Sequence, residues 1–82
     1  MNVYRYRFTA KCPNNRRTVE YSLVLHSQRM VMVEAIVKAC SGLKAAYHEQ
    51  IAERLYNEFG GYQVISAHHQ GVDVETQRGS QG

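Results

Sequence analysis

Alternation of apolar and polar side chains over residues 3–12 constrains the fold of this chain more than any other feature. The even positions carry Tyr4, Tyr6, Phe8, Ala10 and Cys12. The odd positions carry Arg5, Arg7, Thr9 and Lys11. A period of two residues is typical of a half-buried β-strand. The pattern therefore predicts a strand with one aromatic face and one cationic face.

A second alternating segment, residues 18–26, is the predicted partner of this strand. Pro13, Asn14 and Asn15 are turn-forming residues, so residues 13–16 are expected to form a four-residue loop. That loop pairs Cys12 with Arg17, Ala10 with Val19, Phe8 with Tyr21, Tyr6 with Leu23 and Tyr4 with Leu25. A shift of one residue would bury the arginines, which makes this register the expected one.

Helical periodicity follows the hairpin. Ser27 is a candidate N-cap for a helix that begins near Gln28, with an apolar arc over residues 32–40. A second helical stretch is expected from about Leu43 to Phe59, where glycines at 60 and 61 would end it. The two apolar arcs are rotated by about 90° on a common helical wheel, which predicts a kink or break at Ser41-Gly42.

Two further strands are predicted near the C-terminus, Tyr62 to Ala67 and Val72 to Thr76. Joining them through residues 68–71 would pair Ala67 with Val72 and place Asp73 and Glu75 on the opposite face. The predicted fold is α+β: a four-stranded antiparallel sheet in the order β-β-α-α-β-β, with a kinked or broken helical segment packed on one face. We expect a single domain over residues 1–76 and a flexible tail over residues 77–82, which contain no apolar residue.

Composition points to an ordinary globular chain. Hydrophobic residues make up 44% of it and charged residues 21%, which argues against disorder. No apolar run approaches the length of roughly 18 residues that a membrane-spanning helix needs. Arginines within the first strand replace the apolar segment of a signal peptide, so the expected compartment is the cytoplasm.

The residues with reactive or metal-binding side chains form no catalytic or metal-binding motif. Cys12 and Cys40 are expected to be structural thiols, and His68 and His69 to be exposed in a turn. His48 falls within the apolar arc of the second helix, so it is either a structural histidine at the rim of the core or a pH-sensitive one. The sequence therefore predicts no enzymatic activity, no catalytic residue, no cofactor and no metal.

Positive charge is concentrated at the N-terminal end. The first 19 residues contain five basic residues and no acidic one, whereas the remainder contains five basic and seven acidic residues. Arg5, Arg7 and Lys11 would stand about 6 to 7 Å apart or more along one strand face, with Arg16 and Arg17 extending the row into the loop. Two interpretations stay open: a solvated edge strand protected by charge, or a face that binds phosphates or carboxylates.

Tyrosine is frequent, with six residues, and tryptophan is absent. Tyr47 and Tyr56 lie at the two edges of the second helix's apolar arc. Tyrosines at such boundaries bury contact area at low entropic cost, which makes them candidate binding residues. Residues at the rim of a core show the same pattern.

Two functional hypotheses follow. In the first, the chain is a non-enzymatic module that regulates or inhibits a larger protein, one with an acidic or nucleic-acid-binding surface, through the basic hairpin face. In size and composition it is similar to accessory proteins of phages and mobile elements that block host enzymes or defence complexes. In the second, the same face binds nucleic acid without sequence specificity.

A homodimer is a further expectation. It could form through the apolar segment Met30 to Val33 or through the sheet edges. The RNA-recognition fold is excluded, because its base-stacking aromatics lie on an open sheet face, whereas here the aromatic face must seat the helices.

Overall fold

Two β-hairpins flank two helices in the chain order that the sequence predicts. A computed structural model describes residues 1–80. The elements are β1 (Asn2–Lys11), β2 (Thr18–Ser27), α1 (Val33–Ser41), α2 (His48–Phe59), β3 (Tyr62–His69) and β4 (Val72–Gly79). The strands form one antiparallel sheet in the order β1-β2-β3-β4. The predicted α+β class and architecture are confirmed.

The first hairpin has the predicted register. Tyr4 pairs with Leu25, Phe8 with Tyr21 and Ala10 with Val19. Cys12 N donates to Arg17 O at 2.9 Å, which closes the four-residue loop. The alternation of the two strands, together with the loop length, was sufficient to specify this pairing.

One face of the sheet packs against the helices and forms the core. The largest fully buried side chains are Leu23, Leu25, Ile51, Leu55, Ile65, Gln63 and Cys40. Each buried Leu or Ile contributes about 1.5–3 kcal/mol relative to an exposed one. Among residues 1–80, there is no helix that is both long enough and apolar enough to cross a membrane.

The first helix begins later than predicted. Met32 is its N-cap and Val33 its first residue, whereas the sequence pattern suggested Ser27 and Gln28. Ser27 is instead the last residue of β2, and its hydroxyl accepts a hydrogen bond from Arg29 N at 3.3 Å. The serine therefore shapes the exit from the strand and does not cap the helix.

The predicted break between the helices is confirmed, and it is wider than expected. The first helix ends at Ser41, and the second begins at His48, five residues after the predicted start. Lys11 N donates to Lys44 O at 2.9 Å, and Ala46 N donates to Lys11 O at 3.2 Å. Residues 44–46 thus pair with the end of β1 and leave the helical conformation.

The second hairpin is longer and tighter than predicted. A two-residue loop, Gln70 and Gly71, joins its strands, and both residues have positive φ angles, 52° and 83°. Ala67 consequently pairs with Val74 and not with Val72, a shift of two residues that leaves each side chain on its predicted face.

The last strand extends beyond its predicted end. β4 continues to Gly79, so residues 77–79, assigned to the tail by the sequence, are paired with β3. Of the three remaining tail residues, Ser80 follows the strand, and residues 81 and 82 lie outside the described part of the chain.

Candidate binding surface on the open sheet face

The face of the sheet opposite the helices, here called the open face, carries charges of opposite sign at its two edges. Strand alternation places Arg5, Arg7 and Lys11 on this face at the β1 edge; we call these three residues the basic row. It places Asp73 and Glu75 on the same face at the β4 edge; we call these two residues the acidic row. The open face is therefore polarised across the sheet.

Small polar side chains separate the two rows. Ser22 and Ser66 are paired partners on the two central strands, and they lie in one cross-strand line with Arg7 and Glu75. These residues line a shallow cleft of about 760 Å³. A basic side chain thus stands at one end of the line, an acidic side chain at the other, and two hydroxyls on the floor between them.

The basic row is fully available to a partner. Its three residues are exposed, and none takes part in the ion pairs found within residues 1–80. Three unpaired cations on one strand produce a positive potential that attracts anionic groups. Glu20, which pairs with Thr9 on the same face, partly offsets this potential.

The backbone of β1 adds hydrogen-bonding groups to the same residues. β1 is an edge strand, and segment 44–46 covers its outer side only at Lys11. Since the outer N–H of Lys11 bonds to Lys44 and groups alternate in direction along a strand, the outward groups upstream belong to Val3, Arg5, Arg7 and Thr9. Within residues 1–80, Arg5 and Arg7 therefore also present unpaired N–H and C=O groups at the edge, whereas those of Lys11 bond to segment 44–46.

The other predicted binding residues do not join the basic row. Arg16 and Arg17 are exposed in the loop, but Arg17 pairs with Cys12, a register position that belongs to the helix face. Tyr47 precedes α2 and is 49% exposed, and Tyr56 packs near Gly79. Both tyrosines belong to the helix layer, on the side of the sheet opposite the basic row.

Asp73 and Glu75 were not among the predicted site residues, although their alternation had already placed them together on one face. Asp73 Oδ1 lies 2.7 Å from His68 Nδ1 on the neighbouring strand, and both side chains are largely exposed. Glu75 accepts a local hydrogen bond from Gln77 Nε2 at 3.0 Å. The sequence contained the signal for an acidic edge, but the opposite position of the two edges depends on the strand order of the sheet.

The aromatic residues of β1 lie on the helix side but remain half-buried. Phe8 stacks between Tyr6 and Tyr21, with ring-centroid distances of 6.3 and 5.4 Å. They are partly exposed because β1 is an edge strand and α2 packs over β3 and β4. The prediction that these aromatics face inward is confirmed in direction, although their burial is incomplete.

His48 occupies the predicted rim of the core. Its ring lies 5.6 Å from that of Tyr21, and its Nε2 is buried without a hydrogen-bond partner. Burial lowers the pKa of His48 below its ordinary value of 6.5. Burial therefore favours the neutral form of the ring relative to that of a free histidine.

Neither thiol forms a disulfide, and one of them is chemically inert. Burial, with a smaller effect of Glu58, raises the pKa of Cys40 to about 11, so its thiolate is scarce at neutral pH. Within residues 1–80, no group of three or more histidine, cysteine or acidic side chains is placed to hold a metal ion.

Comparison with solved structures supports the fold. The chain is similar to the crystal structure of an archaeosine synthase, QueF-Like, in its apo form, with a TM-score of 0.67. The match covers 99% of this chain and 93% of that one, at 18% sequence identity. No protein-family model and no curated protein matches the sequence. The likeness shows a shared arrangement of strands and helices.

Proposed function

We propose that this protein is a non-enzymatic protein-binding module whose β1 edge holds an acidic, extended segment of a larger partner. One observation carries the proposal: Arg5 and Arg7 combine exposed, unpaired cationic side chains with outward backbone groups on an edge strand. An added strand could bond to that backbone, and its carboxylates could meet the arginines. Occupying such a segment would regulate or inhibit the partner.

A short peptide that alternates glutamate with threonine tests this mode of binding. Fluorescence anisotropy should show that Arg5→Glu combined with Arg7→Glu weakens binding by roughly tenfold or more, because two attractive cross-strand pairs become repulsive. Lys38→Glu combined with Arg54→Glu makes the same change of net charge on the helices and should leave affinity unchanged. Equal affinity for both double variants would refute the proposal.

Backbone pairing has its own control. Methylation of alternate peptide nitrogens removes the hydrogen-bond donors of one peptide edge and retains every carboxylate. The methylated peptide should bind much more weakly if a strand is added to β1, whereas a purely electrostatic contact would be almost unaffected. Undiminished binding of the methylated peptide would exclude strand addition.

Nucleic acid is the alternative ligand, favoured by the lack of any ion pair at the basic row within residues 1–80. Single-stranded DNA held by three cations should lose affinity with salt at a logarithmic slope of roughly −2. Absence of a gel shift at low salt would eliminate this alternative. If the gel shift depends on Arg5 and Arg7 and the acidic peptide does not bind, the protein-binding proposal is wrong and nucleic-acid binding takes its place.

The structural neighbour is named as a synthase, but a likeness at 18% sequence identity shows a shared fold and assigns no activity to this chain. Our proposal of a non-enzymatic role for this chain rests on its own residues. Cys40 is buried and protonated, and the ring of His48 lies against Tyr21 at the rim of the core. The open face is an exposed polar surface, and its features suit binding.

A further inference from the structure

We infer that, when no larger partner is bound, the β1 edge holds the β4 edge of a second copy of this chain, so that copies associate head to tail. The inference rests on the proposed function, because it assigns a second acidic strand to the same edge. It combines the charge, the backbone pattern and the direction of the two edge strands.

Charge is complementary between the two edges. The basic row lies on the open face of β1, and the acidic row lies on the open face of β4. If β4 of one copy were placed beside β1 of another in a continuous sheet, both rows would lie on the same face and side by side. Opposite charges at facing cross-strand positions stabilise strand pairing by about 0.2–1 kcal/mol per pair.

The backbone groups also match. In a hairpin with a two-residue loop, the residues that flank the loop form a hydrogen-bonded pair, here His69 and Val72. The outward groups of β4 therefore belong to the alternate residues Asp73, Glu75 and Gln77. On β4, as on β1, the charged side chains and the unpaired backbone groups belong to the same residues.

Strand direction requires no rearrangement. Three successive antiparallel pairings make β1 and β4 run in opposite directions within one copy. A second copy that keeps the same strand direction would present β4 antiparallel to β1, which is the pairing that these outward groups can form. Such a contact uses different surfaces on the two copies, so it either closes into a ring or grows as a chain.

Like charges oppose the alternative pairings. Two β1 edges would bring the arginines of both copies together, and two β4 edges would bring the carboxylates together. Repulsion of this kind disfavours a symmetric edge-to-edge dimer. The charge pattern selects the head-to-tail arrangement.

Sedimentation of the full chain at several protein concentrations tests the inference. The wild-type protein should sediment as a species larger than the 9.4 kDa monomer, and added salt should dissociate it. Arg5→Glu with Arg7→Glu, and separately Asp73→Lys with Glu75→Lys, should each weaken association by roughly thirtyfold. Circular dichroism verifies that each variant retains its fold.

Restoration is the decisive observation. When the two double variants are mixed, the glutamates on β1 of the first variant can pair with the lysines on β4 of the second. The native β1 of the second variant can pair with the native β4 of the first, so the mixture should associate again. The quadruple variant should also associate by itself. A monomeric wild-type protein, or a mixture that stays monomeric, would overturn the inference, as would association that persists in both double variants.

The two proposals fail separately. If the wild-type chain is monomeric but binds the acidic peptide in a manner that depends on Arg5 and Arg7, the β1 edge takes a foreign partner and only the self-association is wrong. If neither the peptide nor a second copy binds, the proposed function is wrong as well. An acidic peptide that dissociates the assembly would support both.

Discussion

Gly60 and Gly61 follow each other between α2 and β3, and they differ in what surrounds them. Both have positive φ angles, 63° and 69°. A Cβ built at Gly60 meets nothing within 4 Å, whereas a Cβ at Gly61 would collide with the carbonyl oxygen of His26. Gly61 therefore combines an unusual backbone conformation with a close approach of two strands, and Gly60 has only the first requirement.

This difference makes a matched pair of substitutions informative. Either change to alanine should lower the free energy of unfolding by about 1–2 kcal/mol through backbone strain. Gly61→Ala should cost about 1–3 kcal/mol more, because the new methyl group overlaps a backbone atom. Urea denaturation of both variants measures the two losses. Equal losses would show that β2 and β3 can separate at no cost.

His48 gives stability a specific pH dependence. Burial lowers its pKa in the folded protein below the ordinary value of 6.5, so the unfolded chain binds the proton more readily. The free energy of unfolding should therefore be highest above pH 6.5 and should fall as the pH drops from that value toward the lowered pKa. Thermal denaturation between pH 7.5 and pH 5 at about 0.5-unit steps measures this slope.

Two variants identify the residue responsible. His48→Gln should flatten the slope between pH 7.5 and pH 5, because no group at position 48 then titrates. His68→Gln removes an exposed histidine and should retain the slope. A slope unchanged in His48→Gln would assign the pH dependence to other groups.

Gln63 joins two elements, the end of α2 and the first residues of β3. Its side chain is 1% exposed, and its Nε2 donates hydrogen bonds to Leu55 O at 3.0 Å and to Gly60 O at 2.8 Å. The carbonyl of Gly60 lies just beyond the helix C-terminus, where intrahelical partners end, and that of Leu55 lies one turn before it. The buried amide of Gln63 therefore donates to both carbonyls in place of water molecules.

Loss of this amide should lower the free energy of unfolding. Gln63→Leu keeps a side chain of similar size but leaves the carbonyls of Leu55 and Gly60 with one partner fewer. It also removes Gln63 Oε1, which is buried without a hydrogen-bond partner, so we expect a net loss of about 1–3 kcal/mol. Gln77→Leu makes the same chemical change on the exposed strand β4 and should alter stability by less than about 0.5 kcal/mol. Chemical denaturation compares them. Similar losses for the two variants would contradict a capping role for Gln63.

The elements also show what the sequence could and could not predict. The first hairpin was predictable residue by residue, since its alternation and its loop depend on neighbouring positions. The start of α2 was not, because residues 44–46 pair with Lys11 more than 30 positions away in the chain. The second register was missed because Gln70 and Gly71 form a tight turn by themselves.

The sequence predicted which residues of the candidate site share a face, but it did not predict where the edges of the sheet lie. Alternation alone showed that Arg5, Arg7 and Lys11 share a face. Strand order was needed to show that Asp73 and Glu75 occupy the opposite edge of that face and that Tyr47 lies elsewhere. Residues far apart in the chain meet through the sheet, and local periodicity carries no information about which edge each strand takes.

At the scale of the whole molecule, the cations on the β1 edge oppose pairing of that edge with the β1 edge of another copy and allow the head-to-tail contact. An edge strand with open backbone groups is a template for aggregation, and charged side chains are a common protection. Arg5→Thr with Arg7→Thr would leave a polar strand of high β-propensity on which Lys11 alone remains of the basic row, so two β1 edges would repel each other much less. We expect this variant to form disordered aggregates, measured as light scattering over time at neutral pH.

Arg29→Thr with Arg54→Thr is the matched control for this prediction. Both double variants lower the formal net charge from +3 to +1, so general colloidal repulsion decreases equally. Only the β1 variant removes charge from an edge strand, and it should scatter light earlier and more strongly than the control. If the two aggregate at the same rate, protection comes from net charge, and the position of Arg5 and Arg7 at the edge has no part in it.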